Sequence, residues 1–577
     1  MSMITAAKWV PRGFAAPFPT RCTLDDAEFE RIMALTKVAL EEAKDDLRGA
    51  HEDSEEEEAK QRQVEEERRA NTLAPIRSVH VPLAAGNVTT NRVRERYNDD
   101  DLKEYDLEHY DDEGAGETDE ERAGSIMRNI DEVLYHKSNH DDPYLTGRAE
   151  DDEEEEQEEL QILATDNLIL SAKVEDEIAH LEVYVYEDES DNLYVHHDIM
   201  LPAIPLALEW LDLPANLSDT NTRGNTVAIG SMDPDIEIWD LDSVDCIYPN
   251  AVLGERNVTM AGMAEEATDK KNKKKKKKRK RSLVPNDAYH VDAVLSLAAN
   301  RQHRNLMASA SADKTVKLWD LSTAKCAKSY SYHTDKVCSL AWHQTESTVL
   351  LSGSYDRTIV AADMRAPAAN PPRWGVESDV EMVRWDPHDA NYLYVSTEGG
   401  CVHCHDVRNA SPNPAAARAV WTLQAHDEAV SSFDINPIIP GFLVTGSTDR
   451  TVKLWNIQPG GQGPSMVISR NLDVGKVFAT TFAPDNEVGF RLAVAGSNGK
   501  LQVWDTSTNP FVRQVFAQRL PALPDGAVED RLVGLQEKDD EDEDEDEGDG
   551  EGNGEGKGDN YDYMAAEYEA DDLIEEY

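Results

Sequence analysis

Cys401-Val402-His403-Cys404-His405 places two thiols and two imidazoles within five residues. In C-x-x-C-H spacing such groups attach haem, and a C-x-x-C pair is half of a tetrahedral zinc site. Neither chemistry is expected here. The surrounding residues read as a strand, and residues three apart on a strand face opposite sides of its sheet. One thiol then points away from the other, and no second C-x-x-C supplies the remaining ligands. The chain has no P-loop string, no H-E-x-x-H and no G-x-S-x-G. No catalytic residue, metal ligand or cofactor-binding residue is assigned, and the chain is read as a non-enzyme.

A denser chemical signal is KKNKKKKKKRKR, which comprises Lys270, Lys271, Lys273, Lys274, Lys275, Lys276, Lys277, Lys278, Arg279, Lys280 and Arg281 around Asn272. A cationic run without interleaved aromatics attracts phosphate but does not read bases. Nuclear import is its first expected role, and contact with RNA its second. The run stands in a chain of formal charge −56, with 58 basic and 114 acidic residues. Glu537 to Tyr577 alone holds 21 acidic and 2 basic residues. Such stretches bury too little apolar surface to offset the entropy of ordering, so residues 51–160 and 521–577 are expected to be disordered acidic regions. The tail also carries Tyr561, Tyr563, Met564, Tyr568, Leu573 and Ile574. That mixture suits contact with basic proteins such as histones or free ribosomal proteins, and equally suits plain solubilisation. Ser54, followed by four glutamates, is a candidate for an acid-directed kinase.

The scaffold that must carry these groups is a repeat. ASADKTVKLWDL (310–321) returns as GSTDRTVKLWNI (446–457), with weaker copies at 230–241, 353–364, 396–407 and 496–506. One aligned position holds Trp239, Trp319, Ala362, His405, Trp455 and Trp504, at spacings of 80, 43, 43, 50 and 49 residues. The long first spacing contains the basic insertion, 264–285. His290, His333 and His426 each stand 29 residues before the aligned position of their repeat. A Trp-Asp signature at a period near 43 marks a WD40 β-propeller. The expected fold is all-β: a seven-bladed WD40 propeller over 161–520, with blades of four antiparallel strands. Residues 169–199 are read as the seventh unit, His197-Asp198-Ile199 as its landmark, and FVRQVFAQR (511–519) as the strand that helps close the ring. By resemblance to WD40 repeats, His290, Asp313 and Trp319 form one buried hydrogen-bonded network, and His426, Asp449 and Trp455 another. The units with Ala362 and His405 lack the tryptophan.

The N-terminal segment (1–22) includes AAKWVPRGFAAPFP. Trp9, Pro11, Arg12 and Phe14 are read as an anchor for a partner, with packing on the chain's own propeller as the equal alternative. Thr23 to Asp26 resembles a capping box, and apolar residues at helical spacing follow, so an amphipathic helix is expected within 23–50. The most apolar stretch, IMLPAIPLALEWL (199–211), contains two prolines and is too short to span a bilayer. No signal segment is expected from MSMITAAKWVPRG, and six cysteines make no disulfide framework. An intracellular chain in reducing surroundings, with no membrane contact and no small-molecule substrate, is expected.

WVPRG (9–13), LEVYVYE (181–187), NLYVHHDIMLPAIPLALEWL (192–211), GSMDPDIEIWDLD (230–242) and the Lys-rich insertion together resemble the periodic tryptophan protein 1 family, over nearly the full chain. The resemblance implies a nuclear and nucleolar WD40 protein of ribosome biogenesis, acting on large (60S) subunit precursors. It implies pre-ribosomal particle proteins and pre-rRNA as partners. In animals it also implies rRNA gene transcription and histone H4 binding, so a histone-binding chromatin regulator is the alternative. A ubiquitin-ligase substrate receptor would fit the fold but has no supporting motif.

Overall fold

The computed structural model describes residues 2–22, 32–33, 160–176, 178–217, 222–255, 284–366, 370–410, 417–458, 463–516 and 530–535. All of these lie in one compact unit, Met1–Leu535; Gln536–Tyr577 form a second unit, outside the described residues.

The repeat sequence folds into hairpins for a local reason. In ASADKTVKLWDL, the strands Leu306–Ser311 and Val316–Asp320 are joined by a turn. There the Thr315 N–H donates to Asp313 Oδ1 at 2.9 Å and Lys314 takes φ +69°. The side chain of Asp thus supplies a turn bond that the short loop cannot make with backbone alone. The same reversal recurs at Arg357 (φ +64°) and Arg450 (φ +69°).

Seven four-stranded antiparallel sheets result. Blade 1 comprises Ser2–Val10, Asn167–Glu175, Ile178–Glu187 and Asn192–Leu201. Blade 2 comprises Pro205–Leu211, Thr226–Ser231, Ile236–Asp240 and Ala251–Leu253. The first strands of blades 3 to 7 are Val294–Ala299, Val337–Trp342, Val380–Trp385, Ser432–Ile435 and Val477–Phe482. Each first strand neighbours the next, and Ser2–Val10 touches the first strands of both blade 2 and blade 7, so the ring is closed. Seven apolar clusters fill the seven gaps between blades. Burial on both faces explains why the strands read as nearly continuous apolar runs.

Hydrogen bonds between blades fix the inner strands in register. Ser296, Ser339 and Ser432 accept, through Oγ, the N–H of Leu340, Val383 and Thr480 on the following blade, at 3.1, 3.1 and 2.9 Å. The Trp342 and Trp385 indoles donate back to Ala298 O and Ala341 O at 2.9 and 3.1 Å. Trp9 does the same across the last gap, to Thr481 O at 3.0 Å.

Three expectations need correction. The propeller does not start near 161, because residues 2–10 supply the inner strand of blade 1 while 169–199 supply only its outer strands. The described part of FVRQVFAQR, residues 511–516, is not a strand. Pro510–Phe516 is a helix, started by a proline that costs nothing at the first helical position, with the Phe511 N–H donating to Asn509 Oδ1 at 3.0 Å. Val512 and Phe516, four apart, are both buried, and the Phe516 ring lies 4.6 Å from that of Phe442. The fourth strand of blade 7 is Leu532–Gly534, inside the segment read as tail. Finally, His197 is no landmark: it sits on an outer strand with its Nδ1 2.8 Å from that of His196. Of the helix expected within 23–50, only Ile32 and Met33 are described, both helical; the rest, like the acidic stretch up to residue 159, lies outside the described residues.

Candidate functional site

His290, Asp313 and Trp319 come together in blade 3. The Trp319 indole N–H donates to Ser309 Oγ at 2.8 Å, Ser309 Oγ is 2.6 Å from His290 Nε2, and His290 Nδ1 is 2.9 Å from Asp313 Oδ2. One arrangement satisfies every group: indole to hydroxyl, hydroxyl to Nε2, and Nδ1–H to carboxylate. Burial, against the pull of Asp313, holds the His290 pKa down; burial would raise Asp313, but the bond from His290 brings it to about 2. A neutral imidazole with both nitrogens engaged has no proton to trade, so the network is structural. Blade 6 repeats it with Thr445 in place of the serine: His426 to Asp449 at 2.8 Å, His426 to Thr445 at 2.8 Å, Trp455 to Thr445 at 2.9 Å. Blade 4 keeps His333, Asp356 and Ser352 together at 3.1 and 2.8 Å although Ala362 replaces the tryptophan. Blade 5 has lost all four members at once, to Val376, Val395, Gly399 and His405. Buried His405 has no hydrogen-bond partner and lies against Trp374.

The inner strands enclose a channel of about 790 Å³. Six of them bulge at one matched position, at Thr5, Leu206, Leu295, Cys338, Glu381 and Phe478, which turns these residues onto the channel wall. Deeper in the wall stand Lys8, Glu209, Arg384 and Asp434. Glu209 binds Lys8 at 2.8 Å and Arg301 at 2.9 Å. Burial works against its charge, yet the two cations hold its pKa below the usual range. Glu381 is opposite: burial, then Glu398 and Asp379, push its carboxyl up to about 7. A folded pKa above the unfolded one means stability present in acid and lost as pH rises from about 4 through about 7. Glu381→Gln, fixed neutral, is therefore expected to stabilise the chain at pH 8 by roughly 1–2 kcal/mol after allowance for screening at the channel mouth. It should have no effect at pH 4.5, as paired thermal melts would show.

The N-terminal residues expected as a partner anchor are divided by the fold. Trp9 is 4% exposed and locked across the blade 7–blade 1 seam. Arg12 donates from its backbone to Asp485 at 3.0 Å, from Nε to Asn167 at 2.7 Å, and from Nη1 to Glu487. Pro11 and half-buried Phe14 remain on the wall of a 340 Å³ pocket at the channel mouth. There Phe14 meets Trp210 edge-on at 4.7 Å, under the guanidinium of Arg223 at 5.4 Å.

Cys401 donates to Gln424 Oε1 at 3.0 Å, while Cys404 is buried among the apolar groups of blades 5 and 6. Burial raises the pKa of both thiols, Cys404 to about 12, which opposes the thiolate a metal needs. Among the described residues no group of three His, Cys, Asp or Glu is placed to hold a metal ion, and no helix is long and apolar enough to cross a membrane. Residues 270–281 lie outside the described residues; their flanks, Glu255 and Val284, connect the last strand of blade 2 to the first of blade 3. Sequence reasoning missed a second tryptophan series. Trp9, Trp210, Trp342 and Trp385 each stand four residues after the bulge of an inner strand, and the recurrence of Trp342 and Trp385 at 43 residues was the available signal.

A closed ring of seven four-stranded blades with His–Asp–Trp networks is a WD40 β-propeller. Residues 287–320, 324–361 and 417–456 match the WD domain, G-beta repeat. The chain is 45% identical to a WD repeat-containing protein of Schizosaccharomyces pombe, over 93% of this chain and 95% of that one. It is 36% identical to periodic tryptophan protein 1 of Saccharomyces cerevisiae over 92% of each, and 28% identical to the Drosophila melanogaster homolog over 89% of this chain and 96% of that one. The chain belongs to the periodic tryptophan protein 1 family.

Proposed function

We propose that this chain is a non-catalytic scaffold in ribosome biogenesis that assists large-subunit assembly and rRNA processing in the nucleolus. The observation that carries the reading is family membership over 92% of the chain, joined to a basic run between two blades. In this reading Lys270 to Arg281 direct nuclear entry and touch pre-rRNA, while the ring binds proteins of the pre-ribosomal particle. Exposed apolar side chains support protein contact: Met200 (65% exposed), Met232 (56%) and Ile178 (52%) stand near the ends of strands and turns of blades 1 and 2. Pro11 and Phe14, on the pocket wall, offer a second foothold. The propeller's histidines serve packing, so no catalytic step is assigned. Depletion of the chain should cause unprocessed large-subunit rRNA precursors to accumulate, with rescue by the intact chain and loss of nuclear rescue when 270–281 are deleted. Unchanged processing after depletion would refute the role. A second reading, a histone-binding regulator of rRNA gene transcription, is favoured by the acidic tail with its tyrosines; it requires nascent rRNA synthesis to fall before processing changes.

A further inference from the structure

Residues 2–22 form a strap that no short loop holds in place. Its strand Ser2–Val10 completes blade 1, but the next strand of that blade starts only at Asn167. The hold of the strap on the ring therefore depends on its own contacts. At one end those contacts are Trp9 and Arg12 against blade 7. At the other, Thr20–Arg21 pair in parallel with Ser243–Val244 of blade 2. The Thr20 N–H donates to Asp242 O at 2.9 Å and the Cys22 N–H to Val244 O at 3.0 Å. Arg21 Nε lies 3.5 Å from Asp245. Asp245 has φ +60°, which turns the chain after the short strand and brings Cys246 back toward the strap. Cys22 and Cys246 are both partly exposed, and the Cys22 sulfur is near enough to help raise the Cys246 thiol pKa.

No other thiol is so placed. Cys326 donates to Lys328 O at 3.4 Å, Cys338 to Val380 O at 3.0 Å and Cys401 to Gln424 at 3.0 Å, while Cys404 is buried. The parallel ladder sets Cys22 beside Val244 and Asp245, with Cys246 the next residue, and a disulfide spans Cα atoms roughly 4.4–6.8 Å apart. The geometry points to Cys22 and Cys246 as an oxidisable dithiol whose disulfide seals the N-terminal strand into the ring.

The co-reactant is a hydroperoxide. Burial, and after it the Cys22 sulfur, push the Cys246 thiol up to about 12, so Cys22 attacks first and Cys246 resolves. The Cys22 thiolate takes one peroxide oxygen, the O–O bond breaks, and the leaving hydroxide collects a proton. Cys246 then gives up its proton and attacks the Cys22 sulfenic acid; the S–S bond forms and hydroxide leaves as water. Two thiols and one hydrogen peroxide become one disulfide and two waters, with two electrons passing from sulfur to oxygen.

The test uses the full reduced chain treated with hydrogen peroxide. Free thiols counted after denaturation should fall from six to four, and peptide mapping should find Cys22 linked to Cys246, reversibly with dithiothreitol. Amide hydrogen exchange at Ser2–Val10 should slow at least tenfold on oxidation. Cys22→Ser and Cys246→Ser should each show no link and no slowing. A link between other cysteines, or Cys22 over-oxidised with Cys246 still free, would refute the dithiol. The expected link with unchanged exchange at Ser2–Val10 would refute the seal.

Discussion

Trp9→Ala is expected to destabilise the chain by about 3–5 kcal/mol, the range for removing a large buried aromatic. Trp9 fills the gap between blade 1 and blade 7 beside Tyr186, whose ring centre is 6.3 Å away, and its indole N–H caps Thr481 O. Truncation leaves both a cavity and an unmet carbonyl. Deleting residues 2–10 altogether should do more: it strips the inner strand from blade 1 and exposes the edge of Asn167–Glu175 to the channel. The deletion variant should lose its single cooperative transition in urea, whereas Phe14→Ala, at the pocket wall, should shift the midpoint only slightly. A wild-type midpoint for Trp9→Ala would contradict this placement.

The second large effect lies lower in the same seam. Arg491 Nε and Nη2 reach the two oxygens of Asp188 at 2.6 and 3.0 Å, and its Nη1 reaches Asp505 at 2.6 Å. Arg531 also pairs with Asp188 and Asp191. Burial acts on both carboxyls. Asp188 is nevertheless held below the usual range by Arg491, while at the more enclosed Asp505 burial dominates and pushes the pKa up. Arg491→Ala leaves these carboxylates short of a cation inside the protein, and a loss of about 3–5 kcal/mol is expected. Arg491→Lys should recover only part, because an ammonium lacks the planar fork that meets both oxygens of Asp188 while also reaching Asp505. Equilibrium denaturation of the three proteins measures this; equal stability of the alanine variant would show that the seam is held by apolar contact alone.

Both effects fall where the sequence was least legible. Trp319, Asp313 and His290 announce themselves because the same three residue types recur at fixed offsets in blade 6. SMITAAKWV carries no such repeat: its partners, Leu168 to Glu175, stand more than 150 residues further on, and nothing local encodes that pairing. Leu532–Gly534 has three residues, too few for an alternating pattern to register. Val512 and Phe516 were ambiguous for a different reason, since short apolar spacing fits strand or helix until Pro510 and Asn509 are given their weight as helix starters. The blade count was readable, but the order of closure was not. A ring is usually pictured as a row of repeats whose ends meet; here the first residues reach in and become the innermost strand. The site follows the same division. The networks were visible as motifs, whereas the alternating charges of Lys8, Glu209, Arg384 and Asp434 emerge only when separate blades are brought to one wall.

The WVPRG segment is part of the ring and not a free ligand for another protein. Amide hydrogen exchange on the full, reduced chain tests it most directly, by comparing Ser2–Val10 with the inner strand Val337–Trp342. Both strands are expected to exchange in the slow class. Exchange of Ser2–Val10 at the rate of an unfolded peptide, with Val337–Trp342 still protected, would contradict it.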